Sequence, residues 1–247
     1  MTRDQAAAAV SATGISKSYG AGAAEVQVLD NVTVSFAAGE FTAVMGPSGS
    51  GKSTLLHCLA GLDQVSGGQV MLGDQDLTRM SDRQLTLLRR EKVGFVFQAL
   101  NLLPSLTARH NILVPLMLGR RKADQDWFDR IVDVLGISAF LGRRPGQLSG
   151  GQRLRVAVAR ALVTRPHVVF ADEPTGSLDR ATGGELLDLL RSSVRDLGQT
   201  IVMVTHDIDA AAVTDRVVFL VDGTIVSELA QPTRESVLDA WKKLETA

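Results

Sequence analysis

Residues 41–62 read FTAVMGPSGSGKSTLLHCLAGL. The opening FTAVM is apolar and partly β-branched, as a buried strand requires, and LLHCLAGL carries the apolar content of a helix. Between them stand Gly46, Pro47, Ser48, Gly49, Ser50, Gly51, Lys52 and Ser53, followed by Thr54. Their spacing is G-x-x-x-x-G-K-[ST], and the chemistry of phosphate binding explains it. Glycines let the backbone curl until several N–H groups face one oxyanion. A helix beginning near Lys52 adds its positive dipole end. The lysine reaches outer phosphates, and the Ser53 hydroxyl suits Mg²⁺. The loop alone does not choose among kinases, GTPases and motor ATPases.

Upstream, Gly14–Tyr19 and Val26–Phe36 are β-rich, and VTVSF (Val32–Phe36) alternates with the period of a strand buried on one face. Residues 1–12 read as a frayed, Ala-rich end without a role. Downstream, residues 81–165 turn mostly helical: LLRREK, ARHNILVPLMLG, DWFDRIVDVLG and GQRLRVAVARALV place apolar residues three and four apart, interrupted by the short strand VGFVF. HVVFAD, TIVMVTHD and RVVFLVDG are continuous apolar runs, as in a parallel sheet covered on both faces. GGELLDLLRSSVRDLG between the first two predicts a crossover helix. The expected class is α/β.

HVVFADE ends in Asp172 and Glu173. In open parallel sheets ligands bind beyond the C-terminal strand ends, so these carboxylates can meet the phosphate loop at one edge. Asp172 then suits Mg²⁺, and Glu173 can take a proton from an attacking water. Taken alone the pair also fits two solvated charges at a strand end.

Composition bounds the rest. The chain has 247 residues, 26 basic against 27 acidic side chains and a net charge of −1, which gives no footprint for nucleic acid. One cysteine, Cys58, excludes an internal disulfide and a multi-cysteine metal site, and reads as a small buried apolar residue. No apolar run approaches the ~18 residues of a membrane span, and the start lacks a signal peptide's core. A soluble, cytoplasmic protein is expected, with any membrane link made through a partner.

Leu148-Ser149-Gly150-Gly151-Gln152 precedes a strongly helical run. Ser149 is a good cap and the glycines permit close approach, so this is a second anion-ready helix start, although a plain capped helix would read the same. With LSGGQ and RVAVARAL, the chain resembles the ATP-binding subunits of ABC transporters over about residues 13–230. The resemblance implies a P-loop (RecA-like) ATPase core, about 13–80 and 166–230, with an antiparallel β subdomain, a helical insertion at about 81–165 and a C-terminal helix at about 233–245. It implies that Tyr19 stacks on adenine, that Gln98 and His206 join Glu173 in catalysis, and that Ser53, Gln98 and Asp172 hold Mg²⁺. It places Ser149, Gly150, Gly151 and Gln152 at ATP held by a second copy, and Asp179 in the D-loop among the nucleotide-binding residues. His57, His110 and His167 read as structural.

The stretch GFVFQALNLLPSLTARHNILVPLML resembles most closely the lipoprotein-release, macrolide-export and antimicrobial-peptide-resistance group. Ala99-Leu100, His110 and Arg153-Leu154 depart from that group's usual residues. The implied partners are a second copy and an integral membrane permease. The permease would seat a short helix near Gln98–Leu106, with Leu100, Leu102, Leu103 and Pro104 as apolar surface, at the cytoplasmic face of the membrane. The alternatives are a cell-division-type ATPase of the same cassette and a non-transport ATPase acting on DNA or ribosomes.

Overall fold

A computed structural model describes residues 8–20 and 22–245. The six-stranded sheet is built from the runs picked out above: β3 (Phe41–Met45), β6 (Val93–Phe97), β7 (Val168–Asp172), β8 (Ile201–Val204), β9 (Arg216–Val221) and β10 (Thr224–Ala230). Their order is β10-β9-β3-β8-β7-β6, parallel from β9 to β6, with β10 closing one edge as an antiparallel hairpin. Every residue of β3 and β8 is buried, because both faces are covered.

The period of two sorts these strands' side chains into two cores. Phe41, Ala43, Met45, Val169, Ala171, Ile201, Met203, Val217 and Phe219 face one, and Val44, Val168, Phe170, Val202, Val204, Val218 and Leu220 face the other. The second core is roofed by a four-stranded antiparallel sheet, β2-β1-β4-β5, formed by β1 (Ala8–Tyr19), β2 (Val26–Ala37), β4 (Gly67–Leu72) and β5 (Gln75–Asp76). Between the two sheets lies α1 (Lys52–Leu59), packed on β1, β2 and β4 above and on β7 and β8 below. In β2, Val32, Val34 and Phe36 are buried while Thr33 and Ser35 are exposed.

The reading of residues 1–12 as a frayed end is corrected for residues 8–12. They are the first part of β1, where Val10 is fully buried between Phe36 of β2 and Leu72 of β4. Residues 1–7 lie outside the described residues.

The first core is covered by helices. After α2 (Asp82–Lys92), which lies against β6, the chain leaves the sheet past Phe97. It builds α3 (Ala108–Leu118), α4 (Gln125–Leu135) and α5 (Gly150–Leu162), then re-enters at β7. α4 puts Trp127, Phe128, Ile131, Val132 and Leu135 on one buried face and stops at Gly136 in the left-handed region. α5 packs on α3, α4 and α6 (Arg180–Leu197). α7 (Ile208–Ala212) and α8 (Arg234–Glu245) pack on each other. Among the described residues no helix is long and apolar enough to cross a membrane.

Candidate active site

The loop from β3 to α1 has no room for side chains at two of its glycines. A Cβ on Gly46 would stand 1.9 Å from the Leu220 carbonyl oxygen, and Gly51, at φ +98°, would meet the Val28 carbonyl at 2.7 Å. Gly51 is the N-cap of α1 and supplies no side-chain cap. The first N–H groups of the helix are therefore available to an anion. Ser50 Oγ is buried without a hydrogen-bond partner, an arrangement that costs free energy unless a ligand satisfies it. Lys52 Nζ donates to the Gly46 and Pro47 carbonyls at 2.9 and 2.7 Å, which holds the ammonium over the curled loop. Burial pushes the Lys52 ammonium below the ordinary lysine value, while the Glu173 and Asp172 carboxylates pull the other way. An orphaned hydroxyl, an uncapped helix start and a half-desolvated ammonium fit a polyphosphate.

The acidic pair stands at the same edge. Ser53 Oγ donates to Asp172 Oδ1 at 3.0 Å, joining the start of α1 to the end of β7. Glu173, next in the chain, adopts φ +47°, a conformation that costs free energy for a residue with a Cβ. The turn takes it out of the strand, its N–H still donating to Val204. Its Oε2 pairs with His206 Nδ1 at 2.7 Å, just beyond the end of β8. The two neighbouring carboxylates thus serve different partners: Asp172 the phosphate-loop serine, Glu173 the histidine.

Gln98 follows β6, and its amide lies against Gly176, 3.3 Å from the position of a Cβ there; the Gly176 N–H in turn donates to the Glu173 carbonyl. Asp179 is the N-cap of α6. Its Oδ1 accepts from the Ala181 and Thr182 amides at 3.0 Å and its Oδ2 from the Thr182 hydroxyl at 2.7 Å. Those bonds hold the carboxyl below the usual range.

Ser149 and Gln152 close a reciprocal capping box at the start of α5: Ser149 Oγ accepts the Gln152 amide at 3.2 Å, and Gln152 Oε1 accepts the Ser149 amide at 3.1 Å. Gly150 has open space around it. Gly151 lies over the Glu185 carboxylate of α6, which Arg155 pairs at 2.7 Å. This helix start belongs to α5, which packs on β6 and on α3, α4 and α6, whereas the phosphate loop joins β3 to α1.

Tyr19 is 43% exposed at the end of β1, and its hydroxyl donates to Asp63 Oδ2 at 2.5 Å. Asp63 and its ion-pair partner Lys17 belong to no motif; a lone acid after a helix carries no signal until the fold sets β1 beside it. The remaining residues singled out are structural in their contacts. Cys58 is buried, its thiol pushed up to about 12 by that burial. His110 bonds the Thr107 hydroxyl and His167 the Lys92 ammonium. Of the apolar run after Gln98, Leu103 and Pro104 are exposed, whereas Leu100 and Leu102 pack against the first core.

Residues 29–176 match the family model described as ABC transporter. Over 231 residues the chain is 44% identical to the lipoprotein-releasing system ATP-binding protein LolD of Anaeromyxobacter dehalogenans, covering 92% of this chain and 97% of that one. The bacitracin export ATP-binding protein BceA of Halalkalibacterium halodurans is 41% identical, covering 90% and 88%. A dimeric structure of the ATP-binding cassette MJ0796 in a post-hydrolysis state, bound to ADP and Pi, matches with a TM-score of 0.75 and 39% identity, covering 90% of this chain and 98% of that one.

Proposed function

The chain belongs to the ABC transporter ATP-binding family, and on that footing we propose that two copies clasp two ATP molecules and use their hydrolysis to drive a separate membrane permease. One observation carries the reading: a single chain presents two glycine-bearing helix starts on two different helices, α1 at Gly51 without a side-chain cap, and α5 at Ser149, where the capping box is followed by Gly150 in open space. A two-fold axis lets the second start of each copy complete the first start of the other.

In each site the amides of Gly46–Thr54 and the Lys52 ammonium hold the β- and γ-phosphates. Ser149, Gly150, Gly151 and Gln152 of the partner copy close over the γ-phosphate, with Asp179 at the junction. Tyr19 stacks on the base. The donor set Ser53, Asp172 and Gln98 is all oxygen, which fits Mg²⁺. That ion would neutralise charge on the phosphate oxygens. Glu173 orients a water and accepts its proton as the water oxygen bonds to the γ-phosphorus and the bond to the ADP oxygen breaks. His206, already paired with Glu173, fixes that carboxylate and faces the departing phosphate. Losing the γ-phosphate removes contacts to both copies, and the dimer opens.

The permease side rests on a groove of about 420 Å³ between β6, α2, α3 and α5, floored by Val93, Phe95 and Phe97 and flanked by Val114, Pro115 and Leu118. Phe97, Met117 and Leu118 are exposed large apolar residues around it, a surface that suits a short amphipathic helix. Kinship with LolD and BceA favours extrusion of a lipoprotein, peptide or drug-type cargo, with this chain held at the cytoplasmic face of the membrane.

Fractionation of the host cell tests this. The chain should sediment with membranes, and Leu118→Glu should move it to the soluble fraction with its ATPase activity intact. A chain that is soluble from the outset, with ATPase activity stimulated by DNA, contradicts the transport reading.

A further inference from the structure

Asp63 sits in the turn after α1, and both of its carboxylate oxygens are taken by β1. Oδ1 accepts from Lys17 Nζ at 2.6 Å and Oδ2 from the Tyr19 hydroxyl at 2.5 Å. The Lys17 ammonium also donates to the Gln64 carbonyl at 2.7 Å and stands 4.7 Å from the centroid of the Tyr19 ring. Lys17 is 9% exposed, whereas Tyr19, the single tyrosine, is 43% exposed. The ring is thus held at its tip by a carboxylate and at one face by a cation, and the rest of it is open.

An aromatic ring on a surface strand samples several rotamers, and freezing it on binding a base costs conformational entropy. A charge-assisted hydrogen bond and a cation–π contact impose that order beforehand. Their anchor is the far end of the helix whose first turn follows the phosphate loop. We infer that Asp63, with Lys17, is a positioning residue that sets the Tyr19 ring at a fixed offset from the phosphate loop, so that the base and the phosphates of ATP are gripped together. The inference rests on Tyr19 as the base-stacking residue.

The test compares calorimetric binding of ATP and of inorganic tripolyphosphate, which has no base. Asp63→Asn should weaken ATP about five- to ten-fold, the cost of ordering one side chain on binding, and leave tripolyphosphate unchanged. It should raise KM for ATP without lowering kcat. Tyr19→Phe keeps the ring and the Lys17–Asp63 pair and removes only the tether; it should weaken ATP in the same sense. In a Tyr19→Ala background, Asp63→Asn should have no further effect. Equal losses for ATP and tripolyphosphate would reduce Asp63 to a structural ion pair and overturn the inference, as would ATP affinity unchanged in both Asp63→Asn and Tyr19→Phe while Tyr19→Ala weakens it. Unchanged ATP affinity in Tyr19→Ala would instead remove the base-stacking reading underneath.

Discussion

Glu173 is held in a left-handed conformation that few residues with a Cβ adopt, and it is paired with His206 across the ends of two neighbouring strands. Such strain persists where the surrounding structure over-determines it, and here its effect is to separate Glu173 from Asp172. Replacing Glu173 by Gln keeps the shape and removes the proton acceptor. ATP binding should be retained and hydrolysis slowed by at least about a hundred-fold, the low end of a general base's contribution; single-turnover kinetics measure it. Gly46 is the complementary case, a residue fixed by space. Gly46→Ala drives a methyl into the Leu220 carbonyl, so thermal unfolding should show a loss of about 1–3 kcal/mol, with nucleotide binding lost alongside. The residues with their own chemistry, Lys52, Ser53, Asp172 and Glu173, were legible because spacing and strand ends place them. Asp63 and Lys17 were not, since a cluster closed across 46 residues leaves no mark on either segment.

Among the elements, periodicity carried most of the reading. VTVSF alternates as its spacing says, and the apolar runs of β3, β7, β8 and β9 are buried as a doubly covered parallel sheet demands. β1 shows where the reading failed. Its first residues are small and Ala-rich, so they carry little hydrophobic signal, and what makes them a strand is the pairing on both sides, to β2 and to β4. Val10→Ala should therefore cost about 2 kcal/mol in chemical denaturation; a change near zero would return residues 8–12 to a dispensable tail. At the start of α5, Ser149→Arg removes a cap worth about 1 kcal/mol and places a bulky cation beside Gly150. The single chain should still bind ATP by calorimetry while steady-state turnover disappears. Loss of ATP binding itself would mean that Ser149 serves its own chain's site.

For the whole molecule, the sheet's two faces divide the labour. One core ties α1, which follows the phosphate loop, between two sheets. The other carries the helices that bear Ser149, and the groove beside β6 runs between the two, with Val93 from the second core and Ala161 from the first in its lining. No motif within one copy says how two copies meet; a relative at 39% identity forms a dimer. Under the proposed function each ATP is shared between two copies. Sedimentation velocity on Glu173→Gln, with and without ATP, addresses it most directly. One chain per particle is expected without nucleotide, two chains with two bound ATP at saturation, and no pairing when Ser149→Arg is added. Particles of a single chain at saturating ATP, or pairing that survives Ser149→Arg unchanged, would contradict it.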